Sequence, residues 1–198
     1  FKKPNMKRKN LIARKKARSN KSLFKNSKIL KFYKKFKSII FKDIKDKSFA
    51  LAVSGGSDSL SLAYFSKIYS LEFGNKIHVL IVDHNLRKES HREALKVKKI
   101  LKIRKIQSKI LRWKGNVPNK NIQKNARDLR YLLISNYCSK KNIKYLATAH
   151  HADDQIENFF IRLFRGSGLT GLSSMTANTR YNSKLKIIRP LLEFKKTD

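Results

Sequence analysis

The 198 residues predict an α/β fold: a parallel sheet with helices on both faces. Three observations carry that expectation. Short apolar runs alternate with amphipathic stretches of ten or more residues, the pattern of βαβ units. The first apolar run enters a Gly-rich turn that opens directly into a helix. No internal repeat is apparent, so a solenoid is not indicated.

The elements follow in order. Residues 1–27 are polar, basic and without an apolar period, and read as a flexible arm or a targeting-like segment. Residues 28–46 place Ile29, Phe32, Tyr33, Phe36, Ile39, Ile40 and Ile44 at helical spacing, with lysines on the other face. A core-packing helix is expected there; a membrane-surface helix is the weaker alternative. Phe49–Val53 is a first strand, and a helix follows its Gly turn as far as Phe73. Ile77–Val82 is a second strand, Glu89–Ile103 a helix and Ile106–Leu111 a third strand. Asn121–Lys141 is a long helix, Lys144–Thr148 a fourth strand, Asp153–Phe164 a helix, and Ile187–Ile188 starts a last short strand. Crossovers in such a sheet are right-handed, and ligands bind at the carboxyl ends of the strands.

Composition narrows the class. The chain carries 48 Lys+Arg against 13 Asp+Glu, a formal net charge of +35. A surface this basic attracts polyanions, most plausibly RNA, with strong salt dependence. Lysine outnumbers arginine 35 to 13, and Asn, Ile and Phe are abundant, the bias of an A+T-rich genome, so drift accounts for about half of this signal. An apolar share of 40% is enough for a core and argues against disorder. The single cysteine, Cys138, excludes a disulfide framework within the chain and a four-thiolate metal site. No apolar run reaches the length of a membrane span, so no membrane partner is expected.

The acids are more telling. Residues 1–42 have none, and between Leu129 and Leu192 the three present are Asp153, Asp154 and Glu157. Helix N-terminal acids that favour the macrodipole explain one or two of these. They do not explain why the rest of the stretch has none.

Ser54-Gly55-Gly56-Ser57-Asp58-Ser59 joins the first strand to its helix. The glycines permit a tight turn and close ligand approach, and the helix N-terminus suits phosphate. Asp58 beside a phosphate points to Mg²⁺. The loop is neither a Walker A nor a G-x-G-x-x-G motif. It resembles the pyrophosphate-binding loop of the N-type ATP pyrophosphatases, or PP-loop enzymes.

Three further segments sharpen the resemblance: Val82-Asp83-His84-Asn85-Leu86-Arg87, Asn125-Ala126-Arg127-Asp128-Leu129-Arg130-Tyr131, and Ala147 through Asn158 with its continuation to Leu172. Together they resemble the tRNA(Ile)-lysidine synthase family over roughly Ser48 to Leu192. The resemblance implies a Rossmann-like PP-loop ATPase fold, of the adenine nucleotide alpha-hydrolase type, over residues 28–198. It implies ATP and Mg²⁺, free L-lysine, and a tRNA(Ile) with a CAU anticodon. In the reaction it implies, the wobble cytosine is adenylated at its C2 oxygen and lysine then displaces AMP to give lysidine.

Under that reading Ser54, Gly55, Gly56, Ser57, Asp58 and Ser59 hold the phosphates, with Asp58 on the metal. Val82, Asp83 and His84 lie at a strand end where base or ribose would sit. Arg127 neutralises the α-phosphate, although a solvated helix cation is the commoner case here. Asp154 and Glu157, three apart on one helix face, hold the ammonium groups of lysine and aid deprotonation of its amine; Asp153 is a helix cap. His150 and His151 are candidate ligand or acid–base groups, or structural residues. The Gly166–Gly171 stretch is a plain turn or a wall near the tRNA. At Gln123 many family members carry Glu. Members also continue into C-terminal tRNA-gripping domains, absent from these 198 residues, so either a fragment or a minimal enzyme is expected.

Two alternatives remain. One is another PP-loop enzyme: a tRNA thiolase, against which the single cysteine argues, or an NAD or GMP synthetase, which the His150–Glu157 segment does not favour. The other is a basic RNA-binding protein that has lost catalysis, against which the retained Asp58, Asp154 and Glu157 argue. Expected locations are a mitochondrial matrix or the cytoplasm of a reduced-genome bacterium.

Overall fold

A computed structural model describes residues 26–115, 122–166 and 175–195. The expected arm over residues 1–27 lies outside them, apart from its last two residues. Helix α1, Ser27–Asp43, starts where the Asn26 side chain accepts from the Lys28 N–H at 2.9 Å. Then follow β1 Phe49–Ala52, α2 Ser57–Phe73, β2 Ile77–Asp83, α3 Ser90–Ile103 and β3 Ser108–Arg112. Next come α4 Ile122–Lys140, β4 Tyr145–Ala147, α5 Ala152–Phe164, β5 Asn178–Arg180 and β6 Lys186–Ile188.

The six strands lie in the order β3-β2-β1-β4-β6-β5. Every pairing is parallel except β5 with β6, where Asn178 faces Ile188 and Arg180 faces Lys186. The expected parallel sheet is thus present, with one antiparallel strand added at this edge. All three residues of β5 are exposed, so no apolar run marks the strand in the sequence.

Strand alternation divides the core in two. Phe49, Leu51, Val79 and Ile81 turn to one face, where they meet α1, α2 and α3. Ala50, Leu80, Leu146 and Ile187 turn to the other and meet Ile134 and Cys138 of α4. The α1 pattern does bury its apolar stripe in the core: Tyr33, Phe36 and Ile40 are buried, with Ile44 just beyond the helix. Lys186 of β6 pairs with Asp43 at 2.5 Å, which ties the end of α1 to the sheet. Helix α5 carries no buried residue and leaves Ile156, Phe159, Phe160, Leu163 and Phe164 exposed. No helix of the described residues is long and apolar enough to cross a membrane.

Candidate active site

The β1–α2 loop sits at the carboxyl end of a central strand, where a parallel sheet opens a crevice. Gly55 adopts φ +100°, and a Cβ there would overlap Val97 of α3. The position therefore demands glycine twice, for backbone angle and for space. The Ser59 hydroxyl organises the turn. It accepts from the N–H groups of Ser54 at 3.3 Å and Gly55 at 3.1 Å, and donates to the Gly56 carbonyl at 2.9 Å. Ser59 thus shapes the loop rather than presenting a free hydroxyl. Gly56 is the N-cap of α2 and offers no side-chain cap, which leaves the first-turn N–H groups to an anion.

This loop lines a cleft of about 500 Å³. Ser54, Gly56, Asp58 and Ser59 form one side, and Val82 near the end of β2 and His84 just past it form another. Arg127, Arg130 and Tyr131 come from α4, and Thr148, His150 and Asp154 from the β4–α5 region. Arg87 and, on α3, Glu93 and Val97 complete the wall, so five segments meet at the strand ends.

Two expected ligands lie elsewhere. Asp83 does not line the cleft, because side chains alternate along a strand and Val82 and His84 take the cleft side. Its fully buried carboxylate accepts from the Asn85 N–H at 3.0 Å, meets His91 Nδ1 at 3.0 Å and lies 3.4 Å from Arg112 Nε. Arg112 also donates to the Asn85 side chain at 3.0 Å, and Asn85 itself has φ +53°. Asp83 therefore braces the loop that carries His84, Leu86 and Arg87. Glu157 is exposed and also lies off the cleft wall. Three residues along a helix rotate a side chain about 60° and carry it about 4.5 Å down the axis, away from the N-terminal turn where Asp154 sits. Gly55 and Ser57 belong to the loop without lining the cleft.

Asp154 makes a contact at the start of α5: its carboxylate accepts from the His151 N–H at 2.8 Å. The buried His151 ring gathers acids around it. Its Nε2 lies 3.6 Å from Asp58 and 3.7 Å from Asp154, and its Nδ1 lies 3.6 Å from Asp153. A smaller hollow of about 210 Å³, walled by Phe32, Phe65 and Phe194, also reaches Asp58 and His151. Helix α1 thereby backs the site. His150 lines the cleft and shares a hydrogen bond with Thr148 Oγ1 at 3.0 Å. Burial holds its pKa below the usual imidazole value, and Arg189, Arg127 and Arg130 push the same way against Asp154. His84 is likewise lowered, by burial and then by Arg130, whose guanidinium lies 3.4 Å from its Nε2. Both rings are thus kept neutral near pH 7.

The donor set suits Mg²⁺. That ion favours one or two carboxylates together with substrate phosphates over a closed protein cage. Asp58 and Asp154 reach the same imidazole nitrogen. Among the described residues no group of three or more His, Cys, Asp or Glu forms a metal cage. Arg130, Tyr131 and Thr148 are cleft residues that the sequence did not single out. The first two sat in the quoted α4 segment, where spacing of three and four from Arg127 puts them on its face.

A nucleotide-sized cleft at the strand ends, opened by a Ser-Gly-Gly-Ser-Asp-Ser turn, defines a PP-loop protein. The family model described as a PP-loop domain matches residues 25–198, and the chain belongs to that family. Among its relatives, the tRNA(Ile)-lysidine synthase of Orientia tsutsugamushi is 47% identical over 149 residues, covering 75% of this chain and 33% of that protein. Those of Wolbachia pipientis and Rickettsia akari are 42% and 40% identical, again over 75% of this chain and 35% and 34% of theirs. The chain spans about a third of the length of these relatives. A U34-tRNA thiolase from Methanococcus maripaludis superposes with a TM-score of 0.70 at 19% identity, over 85% of this chain and 61% of that one. That likeness shows the fold alone.

Proposed function

We propose that this chain carries the catalytic site of an ATP-dependent ligase that joins L-lysine to C2 of the wobble cytidine in a CAU-anticodon tRNA(Ile). The observation that carries the reading is the cleft itself. It sets an acid, Asp154, and two arginines against a phosphate-type loop at one set of strand ends. The bacterial relatives, all tRNA(Ile)-lysidine synthases, support it.

In this reading the cytosine C2 oxygen attacks the ATP α-phosphorus, and pyrophosphate leaves. The amine of lysine then adds at C2, loses a proton, and AMP departs. The N-terminus of α2 and the Ser54 hydroxyl bind the phosphates. Arg127 and Arg130 offset the negative charge that grows at the α-phosphate. Asp58, with support from Asp154, would hold Mg²⁺, which would supply charge neutralisation on the phosphates. Asp154 also attracts the ammonium of lysine. A neutral His150 beside it is placed to take the proton that the attacking amine loses. Val82 and His84 border the base or ribose. Glu157 contributes to the field at the helix end rather than by contact.

Thiolation is the second reading, and one observation weighs against it. Cys138 is buried in the core against the sheet, and burial pushes its thiol up to about 12. It is the only cysteine in these 198 residues. The bacterial relatives favour a bacterial cytoplasm over a mitochondrial matrix.

Incubation of the purified chain with labelled lysine, ATP, Mg²⁺ and CAU-anticodon tRNA(Ile) tests the reading. Label in the tRNA that vanishes with Asp154→Asn supports it. No label from a folded protein that binds both ATP and the tRNA refutes it for this chain.

A further inference from the structure

The Tyr131 ring lines the cleft, and it does not end the aromatic surface there. Tyr181, just past β5, stacks on it with ring centroids 5.4 Å apart and planes inclined by 25°. Tyr181 remains 40% exposed. The arrangement is held rigid from below. Asn182 donates to Ser135 of α4 at 3.0 Å, and its side-chain oxygen accepts from the N–H groups of Lys184 and Leu185 at 3.0 and 2.8 Å. The Tyr181 N–H donates to the Leu185 carbonyl at 2.9 Å, closing the β5–β6 hairpin. Docking of the hairpin thus has its own polar anchor, and a purely packing residue at 181 would be served by a buried aliphatic side chain.

Charge flanks Tyr131 on the cleft side. Arg127 and Arg130 lie on the same α4 face as Tyr131 and line the cleft with it. Burial first, and then the nearby Asp128, raise the pKa of the Tyr181 hydroxyl. An aromatic face flanked by arginines is the combination that binds single-stranded RNA: the rings stack bases and the guanidinium groups take phosphates. On the functional reading above the cleft takes one base out of its stack, and an RNA loop that yields one base leaves its neighbour unstacked as well.

We propose that the Tyr131–Tyr181 stack is a platform for an unpaired nucleobase of the substrate RNA loop, adjacent in sequence to the base that enters the cleft. This rests on the functional reading above, which names the RNA and puts one of its bases in the cleft. The platform itself is a binding surface that can be measured without lysine transfer.

The test compares Tyr181→Leu, Tyr181→Phe and the parent chain for binding a 17-nucleotide anticodon stem-loop with CAU in its loop, across a salt titration. Loss of one stacked base weakens binding by about 5- to 100-fold. That loss is expected for Tyr181→Leu at every salt concentration, with the slope of log K against log[salt] unchanged because no cation is removed. Tyr181→Phe is expected to bind within about twofold of the parent, since it keeps the ring. ATP binding and melting temperature in all three separate a platform from a loosened hairpin. Equal RNA affinity of Tyr181→Leu and the parent overturns the proposal. So does an equal loss in Tyr181→Phe and Tyr181→Leu, or a loss that follows ATP binding and melting temperature downward. Failure of lysine transfer with the stem-loop pattern intact would refute the ligase reading and leave the platform standing.

Discussion

Gly55 gives the most direct test of how the fold builds the phosphate loop. Gly55→Ala meets two separate penalties. Holding an L-residue at φ +100° costs about 1–3 kcal/mol. Its Cβ also overlaps a methyl group of Val97, which is buried on α3 and borders the cleft. Forcing a methyl into such packing costs about 1–3 kcal/mol more. The single variant should lose about 2–6 kcal/mol, a large share of a typical domain's stability. Val97→Ala alone should lose about 2 kcal/mol through two methyl groups and the space they leave. In the double variant the overlap is gone, and the backbone penalty and the loss from Val97→Ala remain. It should therefore be more stable than the sum of the single effects by about 1–3 kcal/mol. Urea unfolding of the four proteins measures this coupling. Additivity within about 0.5 kcal/mol would refute the claim that α3 sets the position of the loop. ATP affinity should recover in parallel, because Val97 relief lets the turn regain its shape.

Three other outcomes are expected. Ser59→Ala removes the hydroxyl that ties Ser54, Gly55 and Gly56 together, and should cost about 1–2 kcal/mol and weaken ATP binding more than Ser57→Ala does; equal effects in isothermal titration would contradict the organising role. Asp83→Asn should cost under about 1 kcal/mol, since His91 and Arg112 are half solvated and the amide oxygen still accepts from Asn85; Asp83→Ala should melt lower and bind nucleotide more weakly, and equal damage from both would point to direct use of the charge. Burial first, and then nearby cations, lower the pKa of His78, His84 and His150 below 6.5 in the folded chain, so the unfolded chain takes up their protons at higher pH. Stability then falls as pH drops below about 6.5 and is flat above it with respect to these groups; a melting temperature that rises between about pH 7 and pH 5.5 would refute the sign.

The fold was largely legible because its central strands carry an unambiguous signal. Phe49–Ala52 and Val79–Val82 lie in the core of the sheet and read as unbroken apolar runs, and each Gly or Asn turn near them marks a boundary. Strand β5 was not legible. Asn-Thr-Arg has no apolar residue and is a strand only because β6 offers it a free edge. The site divides on the same principle. Contiguous features, the loop at Ser54–Ser59 and the acid at Asp154, could be read from spacing. Which way Asp83 and Glu157 point could not, since that depends on strand phase and on where along α5 the cleft ends. Arg130, Tyr131 and Thr148 join the cleft through tertiary placement of α4 and β4, which no local pattern records.

The scarcity of acids gains meaning once they are placed. A chain with 48 cations can pair almost any carboxylate it carries. Glu72 takes Lys37, Asp43 takes Lys186, Glu193 takes Lys35, and Asp83 takes Arg112. Asp58 and Asp154 differ: among the described residues their ion-pair partner is the His151 ring, at 3.6 and 3.7 Å, and no lysine or arginine lies that close. Two carboxylates brought within reach of one imidazole nitrogen repel each other, a cost of the kind that binding sites retain. A cation arriving from outside relieves it. The reading of the cleft needs two such cations, a metal on the phosphates and the ammonium of an incoming amine. If Asp58 and Asp154 serve that purpose, Asp58→Asn should raise the stability of the ligand-free chain while abolishing Mg²⁺-dependent ATP binding. Loss of both together would assign Asp58 to the fold instead.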